Sequence, residues 1–206
     1  MSDEDQDKKG DCYSDGERAW MVRTQELRAR LLHPLLLILG RLRVTPDHLT
    51  FLSLLCGLAF CPLFAPMLIW AYVALVVHVA LDGLDGPLAR HLGVASRAGS
   101  FTDTMADQIV VTAVTITLMK AGQVSVAAGG VYVFVYGVVV AFAMIRNTMA
   151  IPYSWLIRPR FIFYLWIPVE CHLWPGTIEW LLWGFSALLG LKMLTGFLKI
   201  RSQLRD

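Results

Sequence analysis

Residues 49–81 form a run of 33 positions without Asp, Glu, Lys or Arg. A bilayer core takes about 20 helical residues, so the run is too long for one crossing. Pro62 and Pro66 supply a break near its middle. The pattern predicts a first span near 46–64 and a second near 66–89. Further apolar stretches predict spans near 101–120, 124–146, 161–173 and 177–199, with Pro168 kinking the fifth. The fold class is therefore all-α integral membrane: a six-transmembrane-helix bundle. The chain is 56% hydrophobic, above the about 45–50% of soluble domains.

The ends follow from the same reading. Residues 1–16 are charged and small, and read as a disordered cytoplasmic tail. Residues 17–44 form an amphipathic juxtamembrane segment. In it Trp20, Leu27 and Leu31 alternate with Arg23, Arg28 and Arg30, as in an N-terminal amphipathic interfacial helix. Pro34 is expected to interrupt that helix. Thr45-Pro46 reads as a cap followed by the first helical position, and opens the six-helix domain, 45–200. The acidic, polar N-terminus carries no secretory signal pattern. Cys12, Cys56, Cys61 and Cys171 are scattered and read as inert thiols. His78, inside an apolar run, reads as a packed, hydrogen-bonded histidine. Trp166, Trp174, Trp180 and Trp183 fit an interfacial belt. Of 18 Lys and Arg residues, Lys120 alone is assigned to the side away from the termini, and Lys192 lies within the last helix. The other 16 cluster on the termini side, which predicts that this side is cytoplasmic.

Four carboxylates stand at the inner edges of two apolar runs. Asp82 and Asp85 end the second predicted span, and Asp103 and Asp107 begin the third. Spacings of three and four place each pair on one helix face. Ionisable groups at membrane depth are costly and mark function. Gathered together, the four would repel one another unless cations compensated. Two divalent ions would neutralise them, and oxygen ligands suit Mg2+ or Mn2+. Such ions bind phosphates alongside carboxylates, so the set points to metal-assisted phosphoryl-type transfer at the cytoplasmic face. Gly83, Gly86, Gly93 and Gly99 permit close approach of backbone and ligand. Arg90 and Arg97 flank the loop between the spans and can meet a diphosphate. A cation transporter using the same aspartates, or a silent membrane scaffold, are the competing classes.

The order Asp82-x2-Asp85-Gly86-x2-Ala89-Arg90-x8-Gly99-x3-Asp103-x3-Asp107 resembles the signature of the CDP-alcohol phosphatidyltransferase family. The resemblance implies phospholipid biosynthesis: a substituted phosphate group passes from a CDP-linked donor, commonly CDP-diacylglycerol, to an alcohol, releasing CMP. It implies metal binding by Asp82, Asp85 and Asp103. It makes Asp107 the general base, in contact with the second of two ions. Gly86, Ala89, Arg90 and Gly99 become the CDP-binding positions. Val44 to Thr50 resembles the family's Pro-Asn-x-x-Thr start of the first span, with Asp47 in place of Asn. Asp47 is then read as a helix cap. Arg146, Arg158 and Arg160 are candidates for binding an anionic acceptor such as glycerol 3-phosphate or an inositol phosphate, with serine and inositol as alternatives. The stretch after Asp107 is similar to phosphatidylglycerophosphate synthases, although Gln108 stands where Lys is common. The resemblance also implies a homodimer in a bacterial inner membrane. No nucleic-acid partner is expected.

Overall fold

The computed structural model describes residues 32–149 and 159–204. The 1–16 tail, Cys12, most of the amphipathic segment and Arg158 lie outside the described residues. Seven helices make up the described chain, with no strand among them. A short helix, α1 (Leu32–Arg41), is followed by α2 (Pro46–Leu63), α3 (Leu68–His91), α4 (Arg97–Lys120), α5 (Val126–Thr148), α6 (Pro159–His172) and α7 (Thr177–Gln203). Helices α2, α3, α5 and α7 are long and apolar enough to cross a membrane. Their outward residues remain uncovered: Trp70, Val76, Phe134 and Leu191 are each more than 60% exposed. Apolar faces of that extent on several helices suit hydrocarbon rather than water.

Local chemistry explains the boundaries. Thr45 caps α2, its hydroxyl accepting the His48 amide, and His48 returns the bond to the Thr45 amide. The expected cap at Asp47 is therefore corrected. Asp47 is exposed in the first turn, where a carboxylate meets the positive end of the helix dipole. Pro34 lies in the first described turn of α1, which continues to Arg41; the helix that it is expected to interrupt lies mostly outside the described residues. Helix α4 begins four residues before the predicted 101, because the Ser96 hydroxyl accepts the Gly99 amide and starts it early. The linking loop is shortened to 92–96. Gly93 closes α3 with φ +68°, the left-handed geometry that glycine adopts freely.

The core lies where α2, α4, α5, α6 and α7 meet, with Phe60, Val110, Val114, Tyr132, Phe163, Ile167 and Leu182 fully enclosed. One face of α2 sets the spacing: Thr50, Ser53, Gly57 and Phe60 are all buried. A Cβ on Gly57 would lie 2.6 Å from both γ-methyls of Val110 and 3.2 Å from Cγ of His78. Gly57 thus lets α2 approach α4 and α3 together.

Gly57→Ala forces Val110 and His78 apart. Overpacking of about 1–3 kcal/mol outweighs the roughly 1 kcal/mol that Ala gains in helix propensity. A lowered thermal midpoint of the detergent-purified protein is expected.

Candidate functional site

Helices α3 and α4 bring their charged ends together. Asp82 and Asp85 sit on the last turns of α3, and Asp103 and Asp107 on the second and third turns of α4. One carboxylate oxygen from each of Asp82, Asp85 and Asp103 lies within 4.8 Å of the others. Three carboxylates this close, half-buried or buried, demand a cation or protons. Their oxygen donors fit Mg2+ or Mn2+, and an ion held there would leave positions open for phosphate oxygens.

The fourth aspartate behaves differently. Asp107, 7% exposed, forms an ion pair through Oδ2 with Nη1 of Arg160. The same guanidinium donates from Nη2 to Asp82 Oδ2 at 2.8 Å. Arg160 is the second residue of α6 and is 6% exposed. The structure thus divides the carboxylates into a group of three and a single one, with Arg160 between them.

Two neighbours fix the group from behind. Thr50 on α2 donates its hydroxyl to Asp85 Oδ2 at 2.9 Å. Ser53, one turn along, meets His78 Nδ1 at 2.8 Å and donates to the His78 carbonyl at 3.0 Å. His78 lies one turn before Asp82, and its ring stands edge-on to Tyr164 at 5.8 Å. Tyr164 in turn lies one turn after Arg160. Rungs of this kind join α2 to α3 and α3 to α6. His78 is packed and hydrogen-bonded, as its sequence context predicts.

The remaining predicted residues are placed as follows. Arg90 is exposed and folds back over Gly86, its Nη1 3.6 Å from where a Gly86 Cβ would stand. Ala89 is half-buried on the same turn. Gly99 is engaged in the cap of α4, with Ser96 Oγ 3.3 Å from where its Cβ would stand. Arg97 is exposed in the first turn of α4. Arg146, 5% exposed, ends α5. Of the three arginines assigned to an acceptor, Arg160 reaches the carboxylates. The sequence reading missed that ion pair and the Thr50 bond. The signal for Thr50 was present, because Thr50, Ser53 and Gly57 put small and polar groups on one face of an otherwise apolar helix. Nothing local marks Arg160 as the partner of residues 53 and 78 positions earlier.

The opposite end of the bundle carries other chemistry. Helix α6 starts at the carboxylates and ends at His172, whose Nε2 is 3.2 Å from the Tyr72 hydroxyl on the first turns of α3. There the buried Glu170 accepts from the amides of Gly176 and Ile178 and from the Thr177 hydroxyl. A carboxylate at a helix start satisfies its free amides and its dipole, so Glu170 builds α7. Glu179 similarly holds Ser125 at the start of α5. Trp174 and Trp180 are exposed at this end. Cys56, Cys61 and Cys171 are free thiols, each half-buried.

Comparison with known proteins bears on residues on both sides of this site. A profile of the family described as CDP-alcohol phosphatidyltransferase matches residues 43–191. The chain is 34% identical over 107 residues to a CDP-diacylglycerol–serine O-phosphatidyltransferase of Mycobacterium leprae, covering 51% of this chain and 36% of that one. It is 34% identical over 82 residues to a phosphatidylinositol phosphate synthase of Streptomyces avermitilis, covering 39% and 34%. It is 34% identical over 110 residues to the inner membrane protein YnjF of Escherichia coli, covering 52% of each. The matched stretches span about a third to a half of these relatives' own lengths.

Thr50→Val keeps the shape of α2 and removes the bond to Asp85. Loss of such an outer partner weakens metal binding by about tenfold, the low end of the usual range. Titration of the purified protein with Mn2+, followed by the free-ion paramagnetic resonance signal, measures it.

Proposed function

Because the chain belongs to the CDP-alcohol phosphatidyltransferase family, we propose that it transfers a phosphatidyl group from CDP-diacylglycerol to a small polar alcohol at a membrane surface, releasing CMP. The observation that carries this reading is the meeting of Asp82, Asp85 and Asp103 in one three-carboxylate group, on helices whose sequence follows the family order. Asp82, Asp85 and Asp103 would hold Mg2+ or Mn2+, and Asp107 would contribute to a second ion. The metal, when bound, supplies positive charge at the diphosphate and at the departing CMP.

The chain's own residues do the rest. The acceptor hydroxyl oxygen bonds to the phosphorus that carries the diacylglycerol, and the bond from that phosphorus to the CMP oxygen breaks. The hydroxyl proton passes to Asp107. Its Oδ2 is engaged by Arg160, which leaves Oδ1 as the accepting atom. An aspartate is a weak base with a free pKa of about 3.9, but position compensates, since the proton moves as the new O–P bond forms. Gly86, Ala89, Arg90 and Gly99 border the cytidine diphosphate, and Arg90 can swing from above Gly86 to the phosphates.

The acceptor is an alcohol that carries an anionic group. Arg146 and Arg160 are both buried near the ends of α5 and α6, where an exposed arginine would do for membrane anchoring alone. An inositol phosphate or glycerol 3-phosphate fits this charge, and the Streptomyces relative is named for the former. Serine and inositol are the alternatives. Arg158, outside the described residues, is assigned to the acceptor from its place in the sequence between Arg146 and Arg160.

All six helices from α2 to α7 cross the bilayer in this reading, although α4 and α6 fall short by composition or length. Helix α4 carries Asp103, Asp107 and Lys120, and α6 has 14 residues, about 21 Å at 1.5 Å per residue. Both return from the carboxylate end to the Glu170 end, so they traverse the same thickness as their neighbours. The 17–44 segment lies on the interface, and the 1–16 tail precedes it. The carboxylates open to the cytoplasm, with Arg41, Arg43, Arg90, Arg97, Arg146, Arg160, Lys199 and Arg201 on their side and Lys120 on the other. The setting is a bacterial inner membrane, and the enzyme is a homodimer.

Purified protein in nanodiscs, supplied with CDP-diacylglycerol, Mn2+ and a panel of alcohols, tests the reading through identification of the lipid product. CMP release is expected with one phosphorylated alcohol and with none of the neutral ones. A preference for serine would overturn the acceptor assignment and keep the family chemistry. Chelation with EDTA should abolish turnover, and added Mn2+ or Mg2+ should restore it. Asp107→Asn should lower kcat by at least about a hundredfold in a protein that still folds, although loss of the buried partner of Arg160 lowers its thermal midpoint; full activity would refute the base.

A further inference from the structure

Helix α1 has two apolar faces. One is buried: Leu36, 3% exposed, packs with Leu49 of α2 and Leu88 of α3. The other looks outward: Leu35, Ile38 and Leu42, spaced three and four apart, are all exposed. Such a helix suits protein on one side and hydrocarbon on the other. Arg41 and Arg43 follow at its end, both exposed and neither in an ion pair among the described residues.

Arg43 also holds a costly backbone. Its φ is +56°, the one positive value at a non-glycine residue among those described. Its amide bonds the Gly40 carbonyl, and the Val44 amide bonds the Leu39 carbonyl. This is the helix-ending motif whose left-handed position usually belongs to glycine. A side chain there is strained, and glycine would close the turn without that cost. The end of α1 therefore does not ask for an arginine. A guanidinium kept in spite of the strain, next in sequence to Leu42 and its outward stripe, fits an anionic ligand at headgroup level. The helix is further fastened to the turn of α3 that carries Gly86 and Arg90. Leu88 lies between those two residues, the His33 ring stands edge-on to His91 at 5.8 Å, and a Cβ on Gly40 would lie 3.6 Å from Leu92.

We propose that Arg41 and Arg43 form a headgroup site for an anionic phospholipid of the surrounding bilayer, and that the bound lipid holds α1 against the end of α3 and raises turnover. The site stands without the transferase reading; its effect on turnover rests on it. The group recognised is a phosphodiester, whose oxygens suit the planar forks of two guanidinium groups. Leu35, Ile38 and Leu42 lie along the acyl chains. CDP-diacylglycerol is a second source of anionic phosphate, so binding is read without it.

The test places the full chain in donor-free nanodiscs of phosphatidylcholine with increasing phosphatidylglycerol and records the thermal midpoint. Wild type should gain stability as phosphatidylglycerol rises. In Arg41→Gln the fraction that gives half the gain should rise about fivefold, the scale of one basic residue at an anionic surface. Arg43→Gly should do two opposite things. In pure phosphatidylcholine its midpoint should rise by about 2–4 °C as the turn loses its strain, while its response to phosphatidylglycerol weakens as in Arg41→Gln. At saturating donor and acceptor, phosphatidylglycerol should speed CMP release by wild type. The double variant Arg41→Gln with Arg43→Gly should keep the wild-type rate in pure phosphatidylcholine and gain little from the anionic lipid. A wild type indifferent to phosphatidylglycerol would overturn the site. So would a full response in the double variant, which would assign the effect to bilayer charge alone, or a response seen only once CDP-diacylglycerol is added, which would give the arginines to the donor. An unchanged midpoint for Arg43→Gly in phosphatidylcholine would remove the strain from which the role of Arg43 is inferred. A donor-free response with no CMP release under any condition would uphold the headgroup site and remove the transferase reading.

Discussion

The ion pairs of Arg160 with Asp82 and Asp107 are the contacts on which the bundle's charged end depends. A carboxylate removed from water is costly unless it is paired. Four of them at the meeting of two apolar helices would separate α3 from α4 if nothing intervened. Arg160 enters from α6, compensates one charge and connects three helices. The Thr50 hydroxyl of α2 and the Gly86 amide hold Asp85 from the other side. Once these contacts are made, the remaining three carboxylates face one another in a geometry that a divalent cation can complete.

The apolar part of the bundle serves that geometry. Gly57 has no side chain, so α2 lies close against Val110 of α4 and His78 of α3. Ser53 satisfies the histidine that this close approach buries. His78 in turn presents a ring to Tyr164 and so sets where α6, and Arg160 on it, can stand. Each rung is one helical turn from a residue of the site: Ser53 from Thr50, His78 from Asp82, Tyr164 from Arg160. Packing energetics and site geometry are thus carried by the same faces of the same helices.

The two ends of the bundle treat buried carboxylates differently. At one end Glu170 is satisfied within the fold by two amides and a hydroxyl at the start of α7. It needs no ion, and it fixes a helix. At the other end Asp85 accepts the amide of Gly86 beside it, but the aspartates sit within α3 and α4, where most amides are already bonded along the helix. Charge that the backbone cannot compensate is left for an arginine, a metal or a substrate, and this is where the chemistry is placed.

Much of this was legible in residue order. The charge-free run with its prolines set the first two long helices, the Thr45-Pro46 cap set where α2 starts, and the spacing of Asp82, Asp85, Asp103 and Asp107 set a carboxylate site and its family. These are local properties: helix periodicity, capping and apolar length act over a few turns and can be read along the chain. Sequence also misjudged one local detail, placing a cap at Asp47, because a competing cap is settled by small energy differences. What tertiary structure alone decided was the partition of the four aspartates. By spacing they are two similar pairs. Only the packing of α6 against α3 and α4 brings Arg160 beside Asp107 and Asp82, and long-range ion pairs leave no periodic trace in the chain that forms them.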